Sequence, residues 1–336
     1  MTTTQDLAAV SGATGFIGSA VVRKLLEEGR KVRALVEPGA DPKNLAGLPA
    51  DRVERVEVDV CDAAGMRKAL EGASAFYHLA AIYKVWMPDP TPIYRVNIEG
   101  TLTSMLAARD VGVRRMIYTS SIAAVGLTDD GTPADESTRW NLWDIANDYI
   151  TSKYQAERVV TRLAEAGFPV VIVNPAFPFG PRDIGPTPTG GIILSFLQGK
   201  MPGVGEGGFC AVDVDDVATA HVAAETRGRI GERYILGNHN VTFKAFLELV
   251  AEVAGKKAPR LPIPSGLARA MAFGLESWAN HVSHAPPIAT YKSVRYMQHH
   301  AYFSGEKARR ELGLPVTPLR TSVERAVEYF RTNGMV

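Results

Sequence analysis

Between residues 7 and 175, short runs of β-branched or apolar residues alternate with longer stretches of helical texture. The runs LAAVS (7–11), VRALV (32–36), VERVEV (53–58), AFYHLA (75–80), RMIYTS (115–120) and PVVIVN (169–174) read as strands. Helical patterns begin near Phe16, Ala63, Pro92 and Asn147. This alternation predicts an α/β fold, a doubly wound parallel sheet of Rossmann type with helices on both faces.

After Pro175 the texture changes. NPAFPFGPRDIGPTPTGG packs Pro and Gly so densely that regular structure should be interrupted for about a dozen residues. Helical patterns resume over 192–198, 216–226 and 243–254, with RYILG as a short strand between the last two. Thr242 is placed to cap the third of these and Gly255 to end it; the last helix has Thr317 as cap, Pro318 at its first position and Gly334 beyond its end. GLARAMAFGLESWANHV (266–282) is an apolar helix for which ordinary packing is the expectation, pocket capping or membrane contact being the alternatives. The chain thus divides into a dinucleotide-binding domain over 1–175 and a smaller, mainly helical substrate lobe over 176–336, with some segments returning to the sheet.

Composition narrows the partners. The chain has 336 residues, 46% of them hydrophobic, enough for a large core. With 37 basic against 36 acidic residues, no global field draws nucleic acid or an anionic membrane. Cys61 and Cys210 lie outside any CxxC pattern, which argues against a disulfide framework or zinc site and makes a reducing cytoplasm the simplest home. No apolar run reaches the length of a membrane span, so no integral membrane segment is expected. Seven histidines give no HExxH, and no metal site is expected.

The chemistry starts at VSGATGFIGSAVV, where Gly12, Gly15 and Gly18 lie between a strand and a helix. Glycines there permit a tight turn and close approach of backbone to a pyrophosphate, which the helix N-terminal amides bind. Thr14, Phe16 and Ile17 fill the same turn. Glu37 ends the second strand, where an acid would hydrogen-bond the adenine ribose and repel a 2′-phosphate, favouring NAD. Arg33 and Lys43 lie close enough in sequence to serve that phosphate, leaving NADP open. Asp59 closes the third strand as an acceptor for the adenine amino group or as a simple turn residue.

Tyr149 and Lys153 stand four apart on a helical pattern and so share a face. Ser120 and Ser121 end the fifth strand at the carboxyl edge, where open α/β sheets bind ligands, and Asn97 lies in the preceding helix. With the glycine turn, HLAA (78–81), YTSS (118–121) and NPAFPFGP (174–181), this chain resembles the extended short-chain dehydrogenase/reductase superfamily from end to end. The resemblance implies Tyr149 as general acid/base, with Lys153 and an oxidised nicotinamide lowering its pKa. It implies Ser121 as the hydrogen-bond donor to the substrate oxygen. Asn97 would support a water relay to Lys153, or be a helix polar group satisfied locally. Val60, Leu79, Ala80, Ala81 and Pro175 join the cofactor contacts on the same grounds, with His78 packing beside them.

Within the superfamily the chain looks most like dihydroflavonol-reductase, 3β-hydroxysteroid-dehydrogenase and hopanoid-associated epimerase-like proteins. Their resemblance implies a secondary alcohol or ketone on a lipophilic or cyclic small molecule. Tyr83, Trp86, Phe177 and Phe179 are the substrate contacts expected, with Trp140 and Trp143 on segments nearby. The alternative is a nucleotide-sugar epimerase or dehydratase with tightly bound NAD. Against it, Phe209 and its glycine neighbours stand where such enzymes carry an arginine for the diphosphate, although Arg182 and Arg295 could compensate. A non-catalytic dinucleotide sensor is the third reading. Relatives imply a homodimer.

Overall fold

The computed structural model describes residues 7–201, 203–259 and 261–336. All six expected strands form: β1 (Leu7–Ser11), β2 (Lys31–Val36), β3 (Val53–Glu57), β4 (Ala75–His78), β5 (Arg115–Thr119) and β6 (Val170–Pro175). Beyond them come β7 (Phe177–Phe179), β8 (Gly208–Asp213), β9 (Arg233–Leu236), β10 (His239–Thr242) and β11 (His300–Ala301). The main sheet runs β3-β2-β1-β4-β5-β6-β9, and every pairing in it is parallel. The chain reverses its direction of travel between β1 and β4, which opens a crevice at their carboxyl ends. RYILG is therefore the seventh strand of that sheet, paired with β6.

Helices α1 (Phe16–Glu27), α2 (Ala63–Leu70), α3 (Thr91–Tyr94), α4 (Thr101–Asp110) and α5 (Asp148–Glu165) belong to the first half. After them come α6 (Pro188–Leu197), α7 (Val214–Arg227), α8 (Phe243–Ala254), α9 (Ser265–Trp278), α10 (Tyr291–Met297), α11 (Glu306–Leu312) and α12 (Leu319–Thr332). Strand residues alternate between two cores: in β5, Met116 and Tyr118 face the layer of α2, α4 and α5, and Ile117 faces that of α1 and α7. Burial on both faces explains why these strands read as nearly unbroken apolar runs. No described helix is long and apolar enough to cross a membrane.

The lobe departs from expectation in four places. A second sheet, centred on β8 with β7, β10 and β11 around it, was not anticipated, because its strands are short and Pro178 sits within one of them. The interruption after Pro175 is shortened by β7, which leaves only residues 180–187 between it and α6; α6 begins at Pro188, where the Thr187 side chain accepts from Gly190 N. Thr242 caps α8 and Gly255 ends it in the left-handed conformation, φ 68°, but Thr317 does not cap α12. Its hydroxyl and amide donate to Asp216 instead, at 2.7 and 2.8 Å. Nor does ordinary packing describe α9, whose one buried residue is Ala272.

Candidate active site

The glycine turn closes against the carboxyl end of β4. Gly12 has φ +65°, and a Cβ there would lie 2.8 Å from the Ala80 nitrogen; one on Gly18 would lie 2.1 Å from the Gly12 oxygen. Ser11 Oγ accepts from the amides of Leu79 and Ala80 at 3.1 and 3.2 Å, which fixes the 79–81 segment against the turn. Gly15, the extended residue before α1, makes no side-chain cap, so the first helical amides, including that of Phe16, remain available to an anion. This uncapped helix start beside a glycine cradle fits a dinucleotide pyrophosphate. Thr14 and Ile17 are half-buried beside it, and Thr14 O accepts from Asn44 Nδ2 at 3.0 Å, a buried contact with no signal in the sequence. Val60 packs under Gly100, and Pro175 ends β6 buried.

Glu37 stands exposed just past β2. The Arg33 guanidinium is bonded to Glu54 Oε2 at 2.7 Å and to the carbonyls of Ala69 and Glu71. Asp59 holds its own turn through Cys61 N at 2.9 Å and pairs with Arg95 at 3.2 Å, as a turn residue does. His78 is buried between Ser11 and Thr101, and burial pushes its pKa down to about 3, so it is neutral.

α5 starts at the carboxyl edge because Asn147 Oδ1 accepts from Ile150 N at 2.9 Å. That start delivers Tyr149, Lys153 and Glu157 on one helical face. Tyr149 shares a hydrogen bond with Ser121, and Tyr83 lies against its ring at 4.6 Å between centroids. The expected lowering of the phenol pKa is reversed in this state: burial pushes it up to about 12, and the Ser121 bond only partly offsets that. Lys153 Nζ donates to the Thr119 carbonyl at 2.8 Å and to the Tyr118 hydroxyl at 3.4 Å. Burial lowers its pKa to about 8, with Glu157 acting the other way.

Ser121 Oγ accepts from Ala123 N at 3.1 Å, which leaves its hydrogen for an oxygen in the cleft. Asn97 lies in a π-helical turn, Arg95–Gly100, that links α3 to α4. Its amide reaches Ile82 N and O and, at 2.9 Å, Ser152 Oγ, which in turn donates to Tyr149 O. Asn97 therefore braces the Tyr83 segment and α5, the locally satisfied arrangement. Beneath the site, Glu157 accepts from Arg233 at 2.9 Å and from Asn174 at 2.6 Å, and Asn174 also donates to Ser121 O. Position 157, one further helical turn along from Lys153, was the signal for this buried network.

A cavity of about 490 Å³ opens beside Tyr149 and Ser121. Tyr83 and Phe177 line it. Trp86 and Phe179 do not. The Trp86 indole donates to Asn280 Oδ1 at 2.9 Å, and Phe179 is packed between Phe209 and Phe246 in the lobe core. Trp140 stacks on Tyr154 and Trp143 meets that ring edge-on, and neither lines the cavity. The wall is completed by residues without sequence signal, including Ile192, Met201, Ile263, Val294, Tyr296 and Met297.

Known proteins match this arrangement. The NAD dependent epimerase/dehydratase family matches residues 8–237. A putative dihydroflavonol 4-reductase of Synechocystis is 37% identical, covering 97% of this chain and 95% of its own. Sterol demethylase protein B of Methylococcus capsulatus is 35% identical over 97% of this chain and 99% of its own. Among solved structures, a nucleoside-diphosphate-sugar epimerase from Pseudomonas aeruginosa superposes with a TM-score of 0.82 at 27% identity, covering 98% of this chain and 99% of that one.

Proposed function

Starting from a chain that belongs to the NAD dependent epimerase/dehydratase family, an extended short-chain dehydrogenase/reductase acting on CH–OH groups with NAD(P), we propose that it interconverts a secondary alcohol and a ketone. The substrate is a lipophilic or cyclic small molecule, sterol-, hopanoid- or flavonol-like. One observation carries this reading: no described residue lining the cavity is Lys or Arg, and the single charged one is Glu206 at the exposed mouth. A nucleoside diphosphate would there meet a carboxylate and no cation, whereas an apolar ring system meets aliphatic and aromatic walls. Phe209 is buried at the place of the missing arginine, and Arg295 is bonded to the Asp144 carbonyl at 2.9 Å.

A bound nicotinamide supplies the hydride acceptor or donor. In reduction, the protonated Tyr149 phenol gives its proton to the carbonyl oxygen, which Ser121 Oγ holds by hydrogen bond. In oxidation, the phenol must lose its proton, a loss that the Ser121 hydrogen bond favours and that Lys153, on the same face of α5, would favour further once a nicotinamide is bound. NAD is favoured over NADP by Glu37 and by the commitment of Arg33 to Glu54. We further infer a homodimer, supported by the exposed Leu102 and Leu106 on α4.

The second reading is a nucleotide-sugar epimerase or dehydratase that keeps its NAD and returns the hydride. The family's name and the Pseudomonas relative lean toward it; the uncharged cavity leans away. The two separate in one assay. With sterol- or flavonol-like ketones, stoichiometric NADH consumption is expected. Turnover of a nucleotide sugar on retained NAD, without net absorbance change, would overturn the oxidoreductase reading.

A further inference from the structure

An amphipathic helix that serves a core turns its apolar stripe inward. α9 does the opposite. Leu267, Met271, Leu275 and Trp278 recur at i, i+4, i+8 and i+11, within about 80° of one another on a helix of 3.6 residues per turn. Leu267, Met271 and Trp278 are 54%, 51% and 61% exposed. The packed side of the helix is a different one, made of small residues: Ala272 is buried and Ala268 lines the cavity. Across the mouth stands Ile288, 93% exposed and itself part of the cavity wall. The apolar cavity thus opens directly onto an apolar outer surface.

The mouth itself carries one acid, Glu206, which accepts from Ser265 at the start of α9, but the segment that builds this face is basic. Residues 256–300 hold Lys256, Lys257, Arg260, Arg269, Lys292 and Arg295 against the single acid Glu276, in a chain whose total is only +1. The Glu276 carboxylate is turned to the Tyr291 amide at 2.8 Å. Lys256, Lys257, Arg269 and Lys292 are exposed. Lys257 lines a neighbouring cleft with Pro264, the residue before α9, and Lys292 lies on α10, which packs against α9; basic side chains so placed beside an exposed apolar stripe complement a surface that is apolar beneath and anionic above.

We propose that α9 and the Ile288 lip seat this protein on an anionic lipid bilayer, with the cavity mouth facing the lipid. A second copy of the chain fits less well, since two such faces would repel by their shared positive charge and would close the mouth. The docking goes beyond the alcohol–ketone reading and stands without it.

Sedimentation with vesicles, in the absence of substrate and nicotinamide, tests it independently of any turnover. The full chain is expected to pellet with phosphatidylcholine vesicles containing phosphatidylglycerol, weakly with phosphatidylcholine alone, and less as salt rises. The double variant Leu267→Glu, Met271→Glu should bind at least about tenfold more weakly, since two apolar contacts are replaced by charges that the lipid repels. Its melting temperature and mass in solution should be unchanged. A second variant, Lys257→Glu with Lys292→Glu, keeps the stripe and should lose only the preference for anionic vesicles. Failure of the unaltered chain to pellet with anionic vesicles would overturn the proposal. So would full binding by the first variant, or its conversion to a smaller oligomer, which would assign the face to a second copy.

Discussion

Tyr149 is half-buried, bonded to Ser121 and tilted against Tyr83, and desolvation holds its phenol in the protonated form. Tyr149→Phe removes only the hydroxyl. We expect kcat to fall by about 10²–10⁴ with NADH binding, followed by fluorescence titration, unchanged. Full retention of function by this variant would instead favour the dinucleotide-sensor reading. Glu37 bears on the cofactor alone: Glu37→Ala should raise the NADPH-to-NADH ratio of kcat/KM by about tenfold, the equivalent of removing one repulsive contact of about 1.4 kcal/mol. At this scale the sequence exposes groups whose chemistry is local, such as the glycine turn and the Tyr-Lys spacing. It does not expose side-chain direction. Trp86, Phe179, Trp140 and Trp143 are aromatic in suitable segments, yet packing turns each away from the cavity.

At the scale of elements, α5 ties together three parts of the fold. Glu157, two turns from Tyr149, bonds Arg233 of β9 and Asn174 of β6, and Asn174 reaches the Ser121 carbonyl. Glu157→Gln leaves the half-buried Arg233 guanidinium without its counter-charge and should cost about 1.5–3 kcal/mol, read as a lower urea midpoint with unchanged slope. It also removes the one charge that raises the Lys153 pKa, so any fall in activity as Lys153 deprotonates should move to lower pH. The six strands β1–β6 are legible in the sequence because each is an apolar run bounded by turns. β7, β8, β10 and β11 are not, since their pairing is specified by the folded lobe and not by local period. The start of α6 was within reach: Thr187 before Pro188 is a cap followed by proline at the first helical position.

For the whole molecule, acid should be the weak side. His78 and His221 are buried, with pKa values near 3 and near 4 against an ordinary 6.5. Between pH 6.5 and about 4 the unfolded chain therefore binds a proton more at each, and each subtracts about 1.4 kcal/mol of stability per unit of falling pH. Asp183 works against them. Burial raises its carboxyl to about 6 from 3.8, so the folded chain holds the extra proton in that window and gains stability as pH falls. These three groups leave the equivalent of one histidine, and replacing His221 by Gln should flatten their contribution over pH 4–6 in urea titrations.

The route of the chain through the sheet carries a further consequence. β9 pairs with β6 at one end of the nucleotide-binding sheet, and α7 packs beside α1 on its face, although both follow the lobe strands β7 and β8 in sequence. A break after Pro175 strips the main sheet of a strand and one face of a covering helix. It also removes Arg233, the partner of Glu157. The two halves are thus not interchangeable cassettes: a chimera that keeps residues 1–175 and grafts another lobe must also bring a matching strand, a matching helix and a guanidinium at the right place. Recombination of whole halves should yield insoluble protein, whereas exchange confined to 256–300, which contributes no strand to the main sheet, should be tolerated.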